Sequence, residues 1–481
     1  MNTKIKQRFT FILLVFLATI LITGCAQPEI NPTDQDNPDL PKATETKKPE
    51  PIEKEDKPEA SAPTSTPIIT TTVDPDALDG VIVRFAHPWG NIDLGVINVI
   101  ATEFSSNNPW GIRVDVEGMG SETVLVEALR SDLESGIKPD LVALHPYRLS
   151  ELDDAVSPQS LDAFLNHPDF GFNTEEIEDI PGAFVEQFIV DDTLIALPVA
   201  PQATVMFYNR TWAEELGFSS PPESVEEFRK QMCAATMANL DDDIRDNDGT
   251  GGFPRNFDPQ VLASWYRAFG GQMPETGGFS FNTPVGQEAF GFVKSLDAEG
   301  CIWVPRRPDP YLYFADRYAL MYAGTLDQIH IQSGWMEVSQ KGDAWMVTSF
   351  PGQDHSFILF DGPGLMVTAE KPEEQLAAWL FARHLLTPEV QDQLVRSLLT
   401  LPVRNTTRSL LADFEEIYPQ WVQALSLMSV AEPLPISNEW GISQWMLQDA
   451  IVRLMSLEGD QTSLILEELD TMIDDLNVGV P

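Results

Sequence analysis

From Val81 to Leu144 the chain reads strand, helix, strand, helix, strand, and that order limits its fold more than any other feature. Val81–Ala86 is a short apolar strand that breaks at His87-Pro88-Trp89-Gly90. Apolar residues at helical spacing predict a helix over Leu94–Phe104. Ile112–Val116 alternates as a half-buried strand does, and Gly118–Ser121 turns into a helix carrying Val124, Leu125 and Leu129. Pro139–Leu144 is a third strand. Strands joined in this way through helices pair in parallel, so an α/β sheet is expected. Ligands of such sheets sit outside the C-terminal strand ends, which here are His87–Gly90, Ser121 and His145.

Further on, Thr193–Arg210 holds two apolar runs split by Pro198 and Pro201, the second ending in Tyr208-Asn209. Short apolar runs bounded by turn residues read as buried strands. They are either two ordinary core strands or a passage from one lobe to another, with a hinge and a ligand cleft beside it. A chain of 481 residues is long enough for two such lobes. Its net charge is −44, from 74 acidic against 30 basic residues. So acidic a body repels phosphate backbones and anionic lipid surfaces, which excludes nucleic acid as an expected partner.

Residues 1–24 carry Lys4, Lys6 and Arg8, then an apolar run from Phe9 to Leu21 that is short for a membrane-spanning helix. This is the pattern of an export signal. Ile22-Thr23-Gly24-Cys25 resembles the lipobox of bacterial lipoproteins. That resemblance implies a diacylglyceryl group on Cys25, which becomes the mature N-terminus, and two acyl chains suffice to hold a protein body at a membrane. Residues 25–79 are rich in Pro, Thr and acidic side chains with almost no large apolar residue, so a disordered linker is expected. Extended, it reaches about 170 Å at ~3.1 Å per residue.

A longer series of segments completes the pattern: Arg84–Trp89, Phe104–Pro109, Gly136–Val142, Ile195–Pro198, Met206–Asn209, Leu216-Gly217, Phe314–Met321, Glu374–Phe381 and Leu401–Arg404. In this order they resemble the extracellular solute-binding proteins of family 1, the sugar-binding receptors of ABC importers. Ser224–Phe228 departs from the family's usual Thr-Trp before an acidic pair. The resemblance implies an α/β, two-lobed periplasmic-binding-protein-like fold (type II) with three interlobe crossings. Carried onto this chain, lobe one is 81–204 with 362–400 and lobe two is 205–361 with 401–481. The crossings are then Met206–Asn209, Gly362–Val367 and Leu401–Arg404, the last two punctuated by Gly362-Pro363-Gly364 and Leu401-Pro402.

Cys233 and Cys301 remain once Cys25 is set aside, and an even pair in an exported chain points to a disulfide. Two buried free thiols are the alternative. A bridge would close a loop of about 70 residues, worth ~4 kcal/mol in the chain-entropy account. Asp241–Gly252 is acidic and glycine-rich but fails the calcium-loop pattern. With Gly249 at the glycine position, Ile244 takes the first ligand place and Arg255 the bidentate one. No metal is expected there.

Sugar sites combine flat aromatics with short polar side chains. Of eleven tryptophans, Trp89 follows the first strand, Trp265-Tyr266 precedes Gly270-Gly271, and Trp440 lies ahead of the helix carrying Trp445. Gly324, Thr325 and Asp327 resemble the family's cleft loop, with Leu326 where an aromatic is usual. The expected ligand-binding set is His87, Trp89, Ser121, His145, Trp265, Tyr266, Gly324, Thr325, Asp327 and Trp440, core packing being the alternative for each aromatic. Nucleophile-elbow, zinc-protease and phosphate-loop motifs do not occur. The expectation is therefore a monomeric, lipid-anchored receptor without cofactor or catalytic residues, at the outer face of the cell membrane. It hands a small solute, a sugar or oligosaccharide, to an ABC permease. The rivals are the same scaffold with a non-sugar solute, and a surface-anchored hydrolase using a carboxylate pair.

Overall fold

A computed structural model describes residues 73–479, apart from 275–277 and 354. The expected export signal, the Cys25 anchor and residues 25–72 of the linker lie outside the described residues. The end of that linker departs from the expectation. Pro75–Leu78 forms a helical turn, capped by the Asp74 side chain, and Leu78 is fully buried in the first core. Val73, just before the capped turn, packs against the same core, so apolar contacts at both ends of the turn hold the chain there.

The opening alternation folds as its pattern requires: β1 (Ile82–His87), α1 (Asn91–Asn107), β2 (Arg113–Gly118), α2 (Glu122–Glu134) and β3 (Leu141–Leu144). Next come β4 (Leu197–Pro198) and β5 (Gln202–Asn209), then α3 (Val225–Asp241), α4 (Pro259–Ala268) and α5 (Pro284–Ala298). These lead into β6 (Met321–Thr325), β7 (Trp345–Thr348), β8 (Ile358–Asp361) and β9 (Gly364–Val367). The chain ends with α6 (Pro372–Leu385), α7 (Pro388–Leu398), α8 (Pro419–Ser426), β10 (Ala431–Pro433), α9 (Asn438–Ser456) and α10 (Thr462–Gly479).

Two five-stranded sheets result. The first has the order β2-β1-β3-β9-β4, with β1 parallel to both neighbours and β9 antiparallel to β3 and β4. In the second, β5 pairs β6 along one edge and both β7 and β8 along the other, and β10 lies beyond β8. Each sheet has its own core. Phe85, Ile97, Leu125, Leu141, Trp379 and Phe381 belong to the first. Along β5, Met206 and Tyr208 enter one cluster of the second sheet while Val205 and Phe207 enter the other. Alternate side chains of a strand point to opposite faces, so a strand covered on both faces reads as an unbroken apolar run.

The chain passes between the sheets at three adjacent places. Val199–Pro201 joins β4 to β5, so Met206–Asn209, expected as a crossing, lies wholly within the second sheet. Gly362-Pro363 joins β8 to β9. After α7, Leu401 donates its amide to the Pro201 carbonyl at 2.9 Å. A Cβ on Gly362 would lie 2.9 Å from Pro201 Cα, so these passages touch backbone to backbone. Cys233, from α3, and Cys301, just after α5, are joined in a disulfide with a Cα–Cα distance of 4.5 Å. Among the described residues no helix is long and apolar enough to cross a membrane.

Candidate functional site

Three loops leave the C-terminal edge of the first sheet. In the register His87 lies opposite Gly118, and the amide of Met119 donates to the His87 carbonyl at 3.1 Å. The first two loops meet through glycines. A Cβ on Gly90 would sit 2.7 Å from Gly120 Cα, and one on Gly118 would strike the His87 ring and the Trp89 carbonyl. Only glycine allows this approach. It holds Trp89, half-buried, at the edge and His87 beneath it, the imidazole centred 5.1 Å from Phe85 and 5.2 Å from Trp89. Burial pushes His87 down to about 4, so it is neutral near pH 7, and neither ring nitrogen bonds to protein. Ser121 caps α2 by accepting from the Val124 amide at 3.3 Å.

The third loop begins with His145. Its amide and its Nδ1 both meet Glu122 Oε1, at 3.0 and 2.7 Å, Glu122 being the first residue of α2. On the other side, Nε2 stands 3.3 Å from Asp361 Oδ2, a contact of charges without the alignment of a hydrogen bond. Asp361 is the last residue of β8, on the second sheet. It accepts from Gln260 Nε2 at 2.6 Å, and Gln260 Oε1 accepts from the Thr204 hydroxyl at 2.9 Å. Burial opposes charge on the imidazole, but the field of Glu122 and the neighbouring Asp361 overcome it and hold His145 well above the usual histidine range. Burial likewise works against the Glu122 carboxylate, yet His145 and Arg148 hold its pKa below normal. The Tyr147 ring stacks on His145 at 5.3 Å and lies against Gly441 of α9, where a Cβ would come within 2.9 Å of it.

The facing wall comes from the second sheet. Thr325, at the end of β6, is in register with Thr204, next to the Gln260–Asp361 pair. Its hydroxyl donates to Asp327. Asp258 caps α4, and burial, with Asp361 adding to it, raises its carboxyl pKa. Gln448 donates to the Phe257 carbonyl at 2.9 Å, so α9 lies along this loop. Trp445 lies between Gly441 and Gln448 on the same helical face and is 51% exposed.

His87, Trp89, Ser121 and His145 therefore share one edge of the first sheet, with Thr325, Gly324 and Asp327 at the end of β6 on the second. The remaining aromatics do not join them, and these expectations are corrected. Trp265 is 1% exposed, its ring centred 4.9 Å from Phe228 and 5.8 Å from both Phe292 and Phe350. Tyr266 packs on Phe281 and Phe290. Gly270, at φ 87°, ends their helix rather than opening a ligand loop. Trp440 is 1% exposed against Phe279. Sequence reasoning passed over Glu122, Tyr147, Gln260, Asp361 and Trp445. Asp361 has a legible signal, its place immediately before Gly362-Pro363-Gly364 at a crossing; Trp445 has none, since it falls in an ordinary helical period.

Comparison with known proteins agrees with this architecture. A sequence profile of the bacterial extracellular solute-binding protein family matches residues 100–417. A Brucella abortus chain named only as a binding protein is 26% identical over 205 residues, which are 41% of this chain and 45% of that relative. The match thus spans less than half the length of that relative. Among solved structures, the cyclic α-maltosyl-1,6-maltose binding protein of Arthrobacter globiformis superposes with a TM-score of 0.67 at 16% identity, over 82% of this chain and 98% of the other. The sugar-binding protein MalE of Xanthomonas citri gives 0.68 at 18%, over 82% and 97%. UgpB of Mycobacterium tuberculosis, in complex with glycerophosphocholine, gives 0.65 at 14%, over 82% and 98%. These likenesses show the fold, the two-lobed maltose-binding type. The profile covers more than half of the chain, and the protein belongs to the family of bacterial extracellular solute-binding proteins.

Proposed function

We propose that this chain is the receptor of an ABC importer and takes a sugar or oligosaccharide between its two lobes. The observation that carries the reading is the convergence, beside the three crossings, of the first sheet's edge, followed by the half-buried Trp89, with the second sheet's edge and helix α9, which carries the exposed Trp445. Short polar side chains, Thr204, Gln260, Thr325 and Asp327, accompany them. Flat apolar faces beside amides, hydroxyls and carboxylates suit a polyhydroxylated ring. The names of the Arthrobacter and Xanthomonas proteins point the same way.

On this reading lobe one is 81–201 with 362–400 and lobe two 202–361 with 401–479. Closure over a solute presents one face to the permease, and the solute drives closure only by its differential affinity for the two states. Cys25 carries the lipid anchor, and the acidic body acts as a monomer outside the membrane. A second reading, a non-sugar solute, is favoured by the carboxylates Glu122, Asp258 and Asp361 at the crossings and by the glycerophosphocholine held on the same fold in the Mycobacterium protein.

A thermal-shift panel of mono- and oligosaccharides, polyols, amino acids and glycerophosphodiesters separates the two. A saturable shift with a sugar alone, without product formation, supports the first reading. A shift confined to another class replaces it with the second. Turnover of a chromogenic glycoside would instead make the protein a hydrolase.

A further inference from the structure

Between the two sheets the chain holds a largely buried charge sandwich, with the side chains of His145, Glu122 and Asp361 15%, 18% and 12% exposed. Lobe one contributes Glu122, His145 and Tyr147, and lobe two contributes Asp361, Gln260, Gly441 and Gln444. We propose that this cluster is a proton-operated latch, in which positively charged His145 holds the two lobes in the arrangement seen here and its loss of charge frees them.

Three features of the geometry support this. The imidazole stands between two carboxylates from different lobes, Glu122 at 2.7 Å and Asp361 at 3.3 Å. Its stacked partner Tyr147 reaches across to α9, with the ring against Gly441 and the hydroxyl hydrogen-bonded with Gln444. A charged imidazole also attracts the face of that ring, so the proton strengthens the contact leading into lobe two. Asp361, finally, is the last residue before the Gly362-Pro363 crossing, so a change in its partner acts at the pivot.

The charged and titratable groups around the imidazole are Glu122 on α2, Tyr147 and Arg148 on the segment after β3, and Asp361 on β8, with Asp258 of α4 beside Asp361. Arg148 is already paired with Glu151. When the imidazole is neutral, Glu122 and Asp361 face each other across the lobes, offset by the Gln260 and His145 amides and the Arg148 charge but no longer by a cation between them. Because the folded state holds the His145 pKa above its unfolded value, the latch is fully set at and below the ordinary histidine range. It is released as pH rises through the folded value.

This inference rests on the two-lobed receptor reading but not on any solute. Paired spin labels at Ser131→Cys on α2 and Asp475→Cys on α10 would follow the interlobe distance. The full chain would carry Cys25→Ser and an intact Cys233–Cys301 bridge. Proton NMR of the His145 ring, assigned with His145→Gln, would report its charge. The expected result is one narrow distance distribution while the ring is charged, and a longer or broader one once it is neutral. In Glu122→Gln the transition moves to lower pH, and in His145→Gln it disappears.

A distance that stays constant while the ring loses its proton would overturn the latch, as would the same transition in His145→Gln. If that variant does not fold, an unshifted transition in Glu122→Gln overturns it instead. A chain that shows the transition yet binds none of the panel would retire the solute assignment and leave the latch standing.

Discussion

Leu401 donates its backbone amide to the Pro201 carbonyl at 2.9 Å, binding the third passage between the sheets to the first. Gly362, in the second passage, lies against the same Pro201, so all three passages pack against one another.

Gly362→Val tests that packing. Its Cβ would meet Pro201 Cα at 2.9 Å and the Ala200 carbonyl at 3.0 Å, both backbone atoms that no rotamer change can move. We expect a loss of about 1–3 kcal/mol, read as a lower denaturation midpoint with an unchanged slope.

Trp445 and Trp265 separate a surface role from a core role. Trp445→Ala should leave the melting temperature nearly unchanged, since half of the side chain is already in water, and weaken solute binding. Trp265→Ala should cost about 3–5 kcal/mol, because Phe228, Phe253, Phe292 and Phe350 surround it. Melting curves and titrations on both variants provide the comparison.

Reduction of Cys233–Cys301 releases a constraint spanning 68 residues. The chain-entropy account gives about 4 kcal/mol for a loop of this length. Unfolding curves with and without reductant, and on a Cys233→Ala/Cys301→Ala variant, should show a loss of this order.

Acidification should loosen the link between lobe one and the segment after the third crossing. Asp179 accepts from Arg404 Nε at 2.7 Å and from the Thr406 amide and hydroxyl at 2.9 and 2.6 Å. Partial burial works against its charge, but Thr406 and Arg404 prevail and hold the carboxyl below the usual aspartate range. The stabilisation is therefore present above the unfolded pKa, about 4, and is lost as pH falls through the lower folded value. Asp179→Asn should remove this acid-side slope from the pH profile of the melting temperature.

Much of the fold was legible because periodicity reports burial directly. The spacing in Leu94–Phe104 and the alternation in Ile112–Val116 placed α1 and β2, and parallel pairing followed from their order. The run ending in Tyr208-Asn209 showed a buried strand, yet the passage itself fell at Val199–Pro201. An apolar strand covered on both faces carries no mark of which sheet it joins. The candidate site was less legible. Trp265 and Tyr266 looked like ligand aromatics because glycines follow them, but the same glycines end a helix whose buried face they complete. Glu122, Asp361 and Gln260 are far apart in sequence and come together only through the crossings, so local pattern could not join them.

The most direct test of a receptor with its cleft at the crossings is calorimetric titration of the best solute from the panel. It compares the wild type with the Trp89→Ala/Trp445→Ala double variant. Saturable binding of one solute per chain in the wild type, at least tenfold weaker in a variant that melts at nearly the same temperature, is the predicted result. Equal affinity in the two proteins would contradict the placement of the site, and a wild type that binds no small solute at all would contradict the receptor itself.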